Sequence, residues 1–163
     1  MDTYQFRKAI STDLPYILEL VNTAYRSKTL RGWTSEADLV TGQRIDINQL
    51  KALMTARSDL FVMQFNNELI SCVYLKFHSI YCYIGMLTTH QKFQNKGIGK
   101  QRLQYAEKYA FVHYSIDEFR IYFLCMTKTY SILSKIWLLT YKSPYSIHAN
   151  VGMPQAQKLC IFN

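Results

Sequence analysis

Residues 87–100 read Leu87-Thr88-Thr89-His90-Gln91-Lys92-Phe93-Gln94-Asn95-Lys96-Gly97-Ile98-Gly99-Lys100. An apolar, β-type run gives way to a polar loop, and two glycines then open a helical pattern. N–H groups at a helix start lack intrahelical acceptors, and the helix macrodipole places about half a positive charge there. Glycine lets a phosphate approach the backbone with no Cβ in the way. Lys92, Lys96, Lys100 and Arg102 add diffuse positive charge. The chemistry such a segment permits is capture of an anion, and its extent suits a pyrophosphate. Two familiar phosphate motifs do not fit. The P-loop pattern fails because Gln94 and Gln101 stand where it needs glycine and a hydroxyl residue. The dinucleotide fingerprint fails at its third glycine, where Arg102 stands.

The elements that must position this segment can be traced along the chain. Residues 6–10 read as a strand. Ser11, Thr12 and Asp13 then offer caps and Pro15 suits a first turn, ahead of a helix with Ile17, Leu20, Val21 and Ala24 on one stripe. Residues 26–46 lack a strong period, and long connections of this kind often carry function. Residues 47–57 read as a second helix with Leu50, Leu53 and Met54 inward. Two apolar runs joined by Asn66-Asn67 signal a hairpin, because asparagine tolerates the positive φ of a tight turn. Residues 80–88 should pair as the next strand, residues 97–111 form a long helix with Leu103, Ala106 and Ala110 inward, and residues 120–126 a further strand. The expected class is α/β of the α+β type: a mixed, mostly antiparallel central sheet flanked by helices, with one crossover.

The chain has 163 residues, a length expected of one domain over residues 1–163. With 49% hydrophobic and 18% charged residues it is neither disordered nor collagenous. A net charge of +8 favours anionic partners without choosing among nucleotides, nucleic acid and acidic surfaces. Cys72, Cys82, Cys125 and Cys160 form no C-x-x-C pair and read as reduced core thiols, and no metal site is expected. The start lacks signal-peptide features and no apolar run reaches the ~20 residues that span a bilayer, so the expected compartment is the cytoplasm, with no membrane partner. No common RNA-binding motif is present, and nucleic acid is the weaker partner reading. After Glu118 there is no acidic residue, while Arg120, Lys128, Lys135, Lys142 and Lys158 follow. No clean helical period appears between residues 127 and 141.

Gln94-Asn95-Lys96-Gly97-Ile98-Gly99 is similar to the [Q/R]-x-x-G-x-[G/A] signature of the GNAT superfamily of acetyl-CoA-dependent N-acetyltransferases. The opening Phe6-Arg7-Lys8-Ala9 to Leu14-Pro15, and the segment from Gly32 through Trp33 and Glu36 to Arg44, also resemble that family. The resemblance covers about residues 4–126. It implies acetyl-CoA as cosubstrate and an amine as acceptor, with direct attack in a ternary complex. It implies that Leu87, Thr88 and Thr89 pair with the pantetheine arm, and that Gln94, Asn95, Lys96, Gly97, Ile98, Gly99 and Lys100 hold the pyrophosphate. Dimers are common in the family, which leaves a homodimer open.

In such a transferase the amine must lose a proton, and at pH 7 holding a lysine-like amine neutral costs roughly 4–5 kcal/mol. Glu36 is the candidate on the acceptor side, as base or as a clamp for a cationic group, against a solvated carboxylate. Trp33 would wall the acceptor pocket or belong to the core. Arg44 would meet an acidic acceptor group or pair with Asp38 or Asp46. His78 reads as a satisfied strand histidine, and either Tyr81 and Tyr83 or the alternate residues face an acceptor cleft. The family's thiolate-protonating tyrosine has no counterpart in register, because residues 127–163 hold only Gly152. Tyr130 and Tyr141 are the substitutes, in what should be a helical region. This tail has diverged, or carries a shifted reading frame that resumes near Lys142. A domain that binds CoA with impaired turnover is the alternative reading, and a basic nucleic-acid-binding module a more distant one.

Overall fold

The computed structural model describes residues 4–26, 43–125, 135–143 and 157–161. In chain order they form β1 (Tyr4–Lys8), α1 (Leu14–Arg26), α2 (Ile47–Leu53), β2 (Ser58–Phe65), β3 (Glu68–Phe77), β4 (Cys82–Thr89), α3 (Ile98–Tyr114), β5 (Glu118–Cys125), β6 (Lys135–Lys142) and β7 (Gln157–Ile161). The seven strands make one sheet in sequence order. All neighbours are antiparallel except β4 and β5, which run parallel with α3 as the crossover. This is the expected mixed, mostly antiparallel sheet.

Alternation along β2 sets the layers, because successive side chains point to opposite faces. Leu60 and Val62 join Cys72 and Tyr74 under Ile17, Leu20 and Val21 of α1 and Leu50 of α2. Phe61, with Val73, Leu75, Ile84 and Phe119, packs on the other face against Ala106 and Ala110 of α3. The two alanines bring α3 close to the sheet, and flanking tyrosines fill the remaining width: Tyr105 stacks on Phe6 at 4.6 Å and Tyr109 meets Phe61 edge-on at 4.7 Å. Asn66 and Asn67 take φ of 48° and 68°, as the hairpin reading expects. Asp13 is buried and accepts from Arg7 at 2.6 Å and 2.8 Å and from the Ile10 amide at 2.8 Å, which fixes β1 against the start of α1.

Several local expectations shift. Helix α2 ends at Leu53, so Met54 is its C-cap and is exposed rather than inward. Helix α3 extends to Tyr114. Residues 135–142, where a helical region was expected, form strand β6 paired along β5. A short apolar run, Ile136-Trp137-Leu138-Leu139, within a segment bounded by lysines gives no helical stripe, and the open edge of β5 supplies the hydrogen bonds. Cys72 and Cys82 are buried reduced thiols, pushed up to about 11 and about 12 by burial. No helix among the described residues is long and apolar enough to cross a membrane.

Candidate functional site

The site grows from a parting of two strands. β4 pairs with β5 only through Cys82, Tyr83 and Ile84, opposite Phe119, Arg120 and Ile121. Beyond Ile84, β4 continues to Thr89 on its β3 side alone, while β5 turns to β6. Among the described residues, no strand covers the other edge of residues 85–89. A bulge accompanies the parting: the β3–β4 register shifts between Cys72 and Tyr74, and Met86 takes φ of 47°. Bulges bend a strand and increase its local twist. An exposed strand edge of this kind is a template for an extended, amide-containing chain.

The open edge runs directly into the glycine-led helix start. His90 Nδ1 accepts from the Lys92 amide at 3.3 Å and starts a tight turn over Gln91–Phe93. Phe93 and Ile98 are buried with Met63 and Ile70, which anchors the loop at both ends. Asn95 and Gly97 take φ of 61° and 76°. Gly97 is the N-cap of α3, and being glycine it offers no side-chain acceptor to the first turn, which also lacks any acidic residue. The amides of Ile98, Gly99 and Lys100 therefore have neither an intrahelical acceptor nor a cap from the N-cap side chain. A Cβ on Gly97 or Gly99 would meet nothing within 4 Å, so the space above the helix start is open. Lys92, Lys96 and Lys100 are exposed around it. This arrangement fits a pyrophosphate joined to an extended arm.

Arg102 departs from the expectation of a diffuse surface charge. It is buried, and its Nη1 donates to the Cys72 carbonyl at 2.9 Å, to Ser71 Oγ and to the Thr88 carbonyl. Ser71 Oγ also donates to the Thr88 carbonyl at 2.9 Å. The guanidinium thus ties α3 to the strand pair at the bulge and fixes the direction of the β4 edge. Leu103 lies at three-residue spacing from Ala106 on the core side, as read from the sequence; the neighbouring Arg102 is inside because the bulge leaves carbonyls that need a donor.

On the opposite face of the sheet, below α2, lies a cavity of about 270 Å³ lined by Leu53, Tyr74, Lys76, His78, Tyr81, Tyr83 and Tyr122. Register places Lys76, Tyr83 and Arg120 in one row across β3, β4 and β5. Tyr83 lies 6.3 Å from Tyr74 and 5.6 Å from Tyr122, ring to ring. His78 stacks on Tyr81 at 4.3 Å, and the Arg120 guanidinium lies 3.8 Å from the same ring. Burial, helped by the charges of Lys76, Arg120 and Arg57, holds the His78 imidazole below its ordinary value. Burial raises the phenols of Tyr74 and Tyr83, so both remain O–H donors at neutral pH. The cavity and the open β4 edge share Tyr83, whose ring leans over Gly85.

The expected site residues fall into groups. Leu87, Thr88 and Thr89 and the stretch from Gln94 through Asn95, Lys96, Gly97, Ile98 and Gly99 to Lys100 lie on one continuous path from strand edge to helix start. Trp33, Glu36 and Tyr130 lie outside the described residues. Arg44 precedes α2, with its amide bonded to Asn22 Oδ1 at 2.8 Å, and its positive charge acts on Tyr83. Tyr141 stands in β6 on the α3 face, 5.6 Å from Phe119, and donates its hydroxyl to Glu107 Oε1 at 2.8 Å. His78 closes the turn after β3 and faces the cavity. Tyr74, Lys76 and Tyr122 were missed as cavity residues. Their alternate spacing was the available signal, but it did not say which face lay open.

Similarity to known proteins agrees with this geometry. Residues 16–126 match the model of the Acetyltransferase (GNAT) family. No curated protein sequence matches the chain. Among solved structures, PaiA N-acetyltransferase from Thermoplasma acidophilum, in complex with coenzyme A, superposes with a TM-score of 0.65 at 19% identity, over 77% of this chain and 82% of that one. The ribosomal-protein-S18-alanine N-acetyltransferase of Escherichia coli gives 0.60 at 10% identity, over 77% and 70%. A GNAT family acetyltransferase from Elizabethkingia anophelis with acetyl-CoA bound gives 0.53 at 21% identity, over 76% and 67%. The parted strands, the glycine-led helix start and the family match over most of the chain lead to one conclusion: the protein belongs to the GNAT acetyltransferase family.

Proposed function

We propose that the protein is an N-acetyltransferase that moves the acetyl group of acetyl-CoA, the family's cosubstrate, to a primary amine in a ternary complex. The observation that carries this reading is the uncovered edge of residues 85–89 leading into an uncapped helix start. Amides of Ile98, Gly99 and Lys100 would hold the pyrophosphate, with Lys92 and Lys96 adding charge and Gln94 lining the loop. The edge of β4 at Leu87, Thr88 and Thr89 would align the pantetheine arm as an added strand. When bound, acetyl-CoA supplies an activated acyl thioester. An outward β4 amide near Leu87 would polarise the acyl carbonyl, and preorganised donors of this kind are often the largest catalytic contribution. Holding both substrates at the strand parting supplies the rest by positioning.

On the acceptor side, Glu36 is proposed as base or clamp, with Trp33 and Arg44 as pocket residues. Tyr130 and Tyr141 are the two proposed donors of a proton to the departing thiol. For Tyr141 this role requires its hydroxyl to leave Glu107. That engagement supports the second reading, a CoA-binding domain with impaired turnover.

Calorimetry with CoA, followed by thiol release from acetyl-CoA across an amine panel, tests both readings. Binding with release supports the enzyme, and binding without release supports the second reading. Absence of heat with CoA on folded protein removes both.

A further inference from the structure

We infer that the cavity below α2 takes the acceptor by a carboxylate, so that the acceptor is an amine of amino-acid size with a flat apolar body and one negative charge. The amine rests on the acetyltransferase reading above; the carboxylate rests on the cavity alone.

The sign of the cavity comes first. Among the described residues its lining holds one ammonium, Lys76, one imidazole held neutral, four phenols and Leu53, with no carboxylate. The charges of Arg57 and Arg44 act on His78 and Tyr83. Glu118 accepts from Arg120 at 2.9 Å and 3.0 Å, so the two charges of that pair match each other. A polycation entering here would meet like charge, which is how interfaces reject wrong partners.

Size and shape narrow the class. About 270 Å³ lies below the roughly 300–1,000 Å³ of pockets for drug-sized ligands. Tyr74, Tyr83 and Tyr122 present ring faces and edges to a flat body. With His78 neutral, the lining's single formal positive charge matches a monoanion. Phenols that stay protonated can donate to a carboxylate. In the transfer the ammonium releases one proton to solvent. As its C–N bond forms and the thioester C–S bond breaks, a second proton passes to sulfur. The products are an acetamide and free CoA thiol, and the carboxylate is unchanged.

The test uses the full chain with three amines: L-phenylalanine, L-phenylalaninamide and spermidine. Calorimetry measures CoA first, then each amine with CoA present, and thiol release from acetyl-CoA is followed in parallel. L-phenylalanine should bind about tenfold or more tighter than the amide, the worth of one charge-assisted hydrogen bond, and spermidine weakest. Lys76 is exposed, so K76Q should fold as the wild type and remove most of that preference. Equal or weaker binding of L-phenylalanine than of its amide or spermidine overturns the inference, as does absence of binding by all three; CoA binding then still sustains the acetyltransferase reading. Failure of CoA to bind overturns that reading, while a preference for L-phenylalanine without CoA would still establish the carboxylate site.

Discussion

The Tyr141 hydroxyl donates to Glu107 Oε1 at 2.8 Å, which ties β6 to α3 across the face of the sheet that α3 covers. Burial raises the Glu107 carboxyl above its ordinary value of 4.5, and the Tyr141 bond opposes that rise. Burial and the Glu107 charge raise the Tyr141 phenol. The pair holds its proton on tyrosine, so Tyr141→Phe should cost about 1–3 kcal/mol by leaving a buried carboxylate oxygen without its donor. Urea midpoints of the two proteins measure this. If thiol release in Tyr141→Phe, corrected for stability, equals that of the wild type, Tyr141 is not the acid, and Tyr130→Phe decides the other nomination.

The same pair sets a pH dependence. A carboxyl raised in the folded state contributes its full stability below the unfolded value, and that contribution is lost as pH rises through the folded value. Glu107→Gln removes the titration. Relative to the wild type, the variant should therefore gain stability as pH rises above the ordinary value of 4.5 through the raised folded value. A parallel pair of stability curves over that window would show that Glu107 is not perturbed.

The two glycines of the helix start should respond differently. Gly99 has open space where a Cβ would stand, so Gly99→Glu should leave the melting temperature nearly unchanged while a carboxylate enters the anion cradle. CoA affinity should fall about 100-fold, as expected for like charge placed against a pyrophosphate. Gly97 has φ of 76°, so Gly97→Ala also strains the backbone and should cost about 1 kcal/mol or more. Full CoA affinity in Gly99→Glu would remove the placement.

Arg102 bonds Ser71, Cys72 and Thr88 from beneath the bulge. Arg102→Met keeps the stem and removes the donors, leaving buried acceptors behind. Leaving buried neutral acceptors without a donor commonly costs about 1–3 kcal/mol. The melting temperature should drop by roughly 2–12 °C at this chain length. CoA affinity, measured well below that temperature, should also weaken because the β4 edge loses its support. Unchanged melting would show that the buried guanidinium is replaceable by apolar packing.

A Cβ on Gly85 would stand 3.0 Å from the Tyr83 ring and its hydroxyl oxygen. The contact is with the end of a side chain and not with backbone, so Gly85→Ala should fold normally and push the phenol into the cavity. The KM for the acceptor should rise, while the calorimetric affinity for CoA stays the same. Equal KM values would place the acceptor elsewhere.

The sequence alone determined the features that depend on neighbours along the chain. Gln94, Gly97 and Gly99 marked the anion-binding helix start, because a helix N-terminus is local chemistry. Asn66-Asn67 marked the hairpin, and Ile17, Leu20 and Val21 marked a buried helical stripe, for the same reason. Tertiary structure decided what depends on contacts between distant segments. Arg102 has the same sequence signature as a surface cation, and only the bulge beneath it draws it inside. Tyr81 and Tyr83 alternate with Cys82 in either orientation, and only packing against α3 on one side and α2 on the other showed which set opens to the cavity. Residues 135–142 lacked a helical period because their order comes from hydrogen bonds to β5, which are non-local and leave no periodic trace in composition.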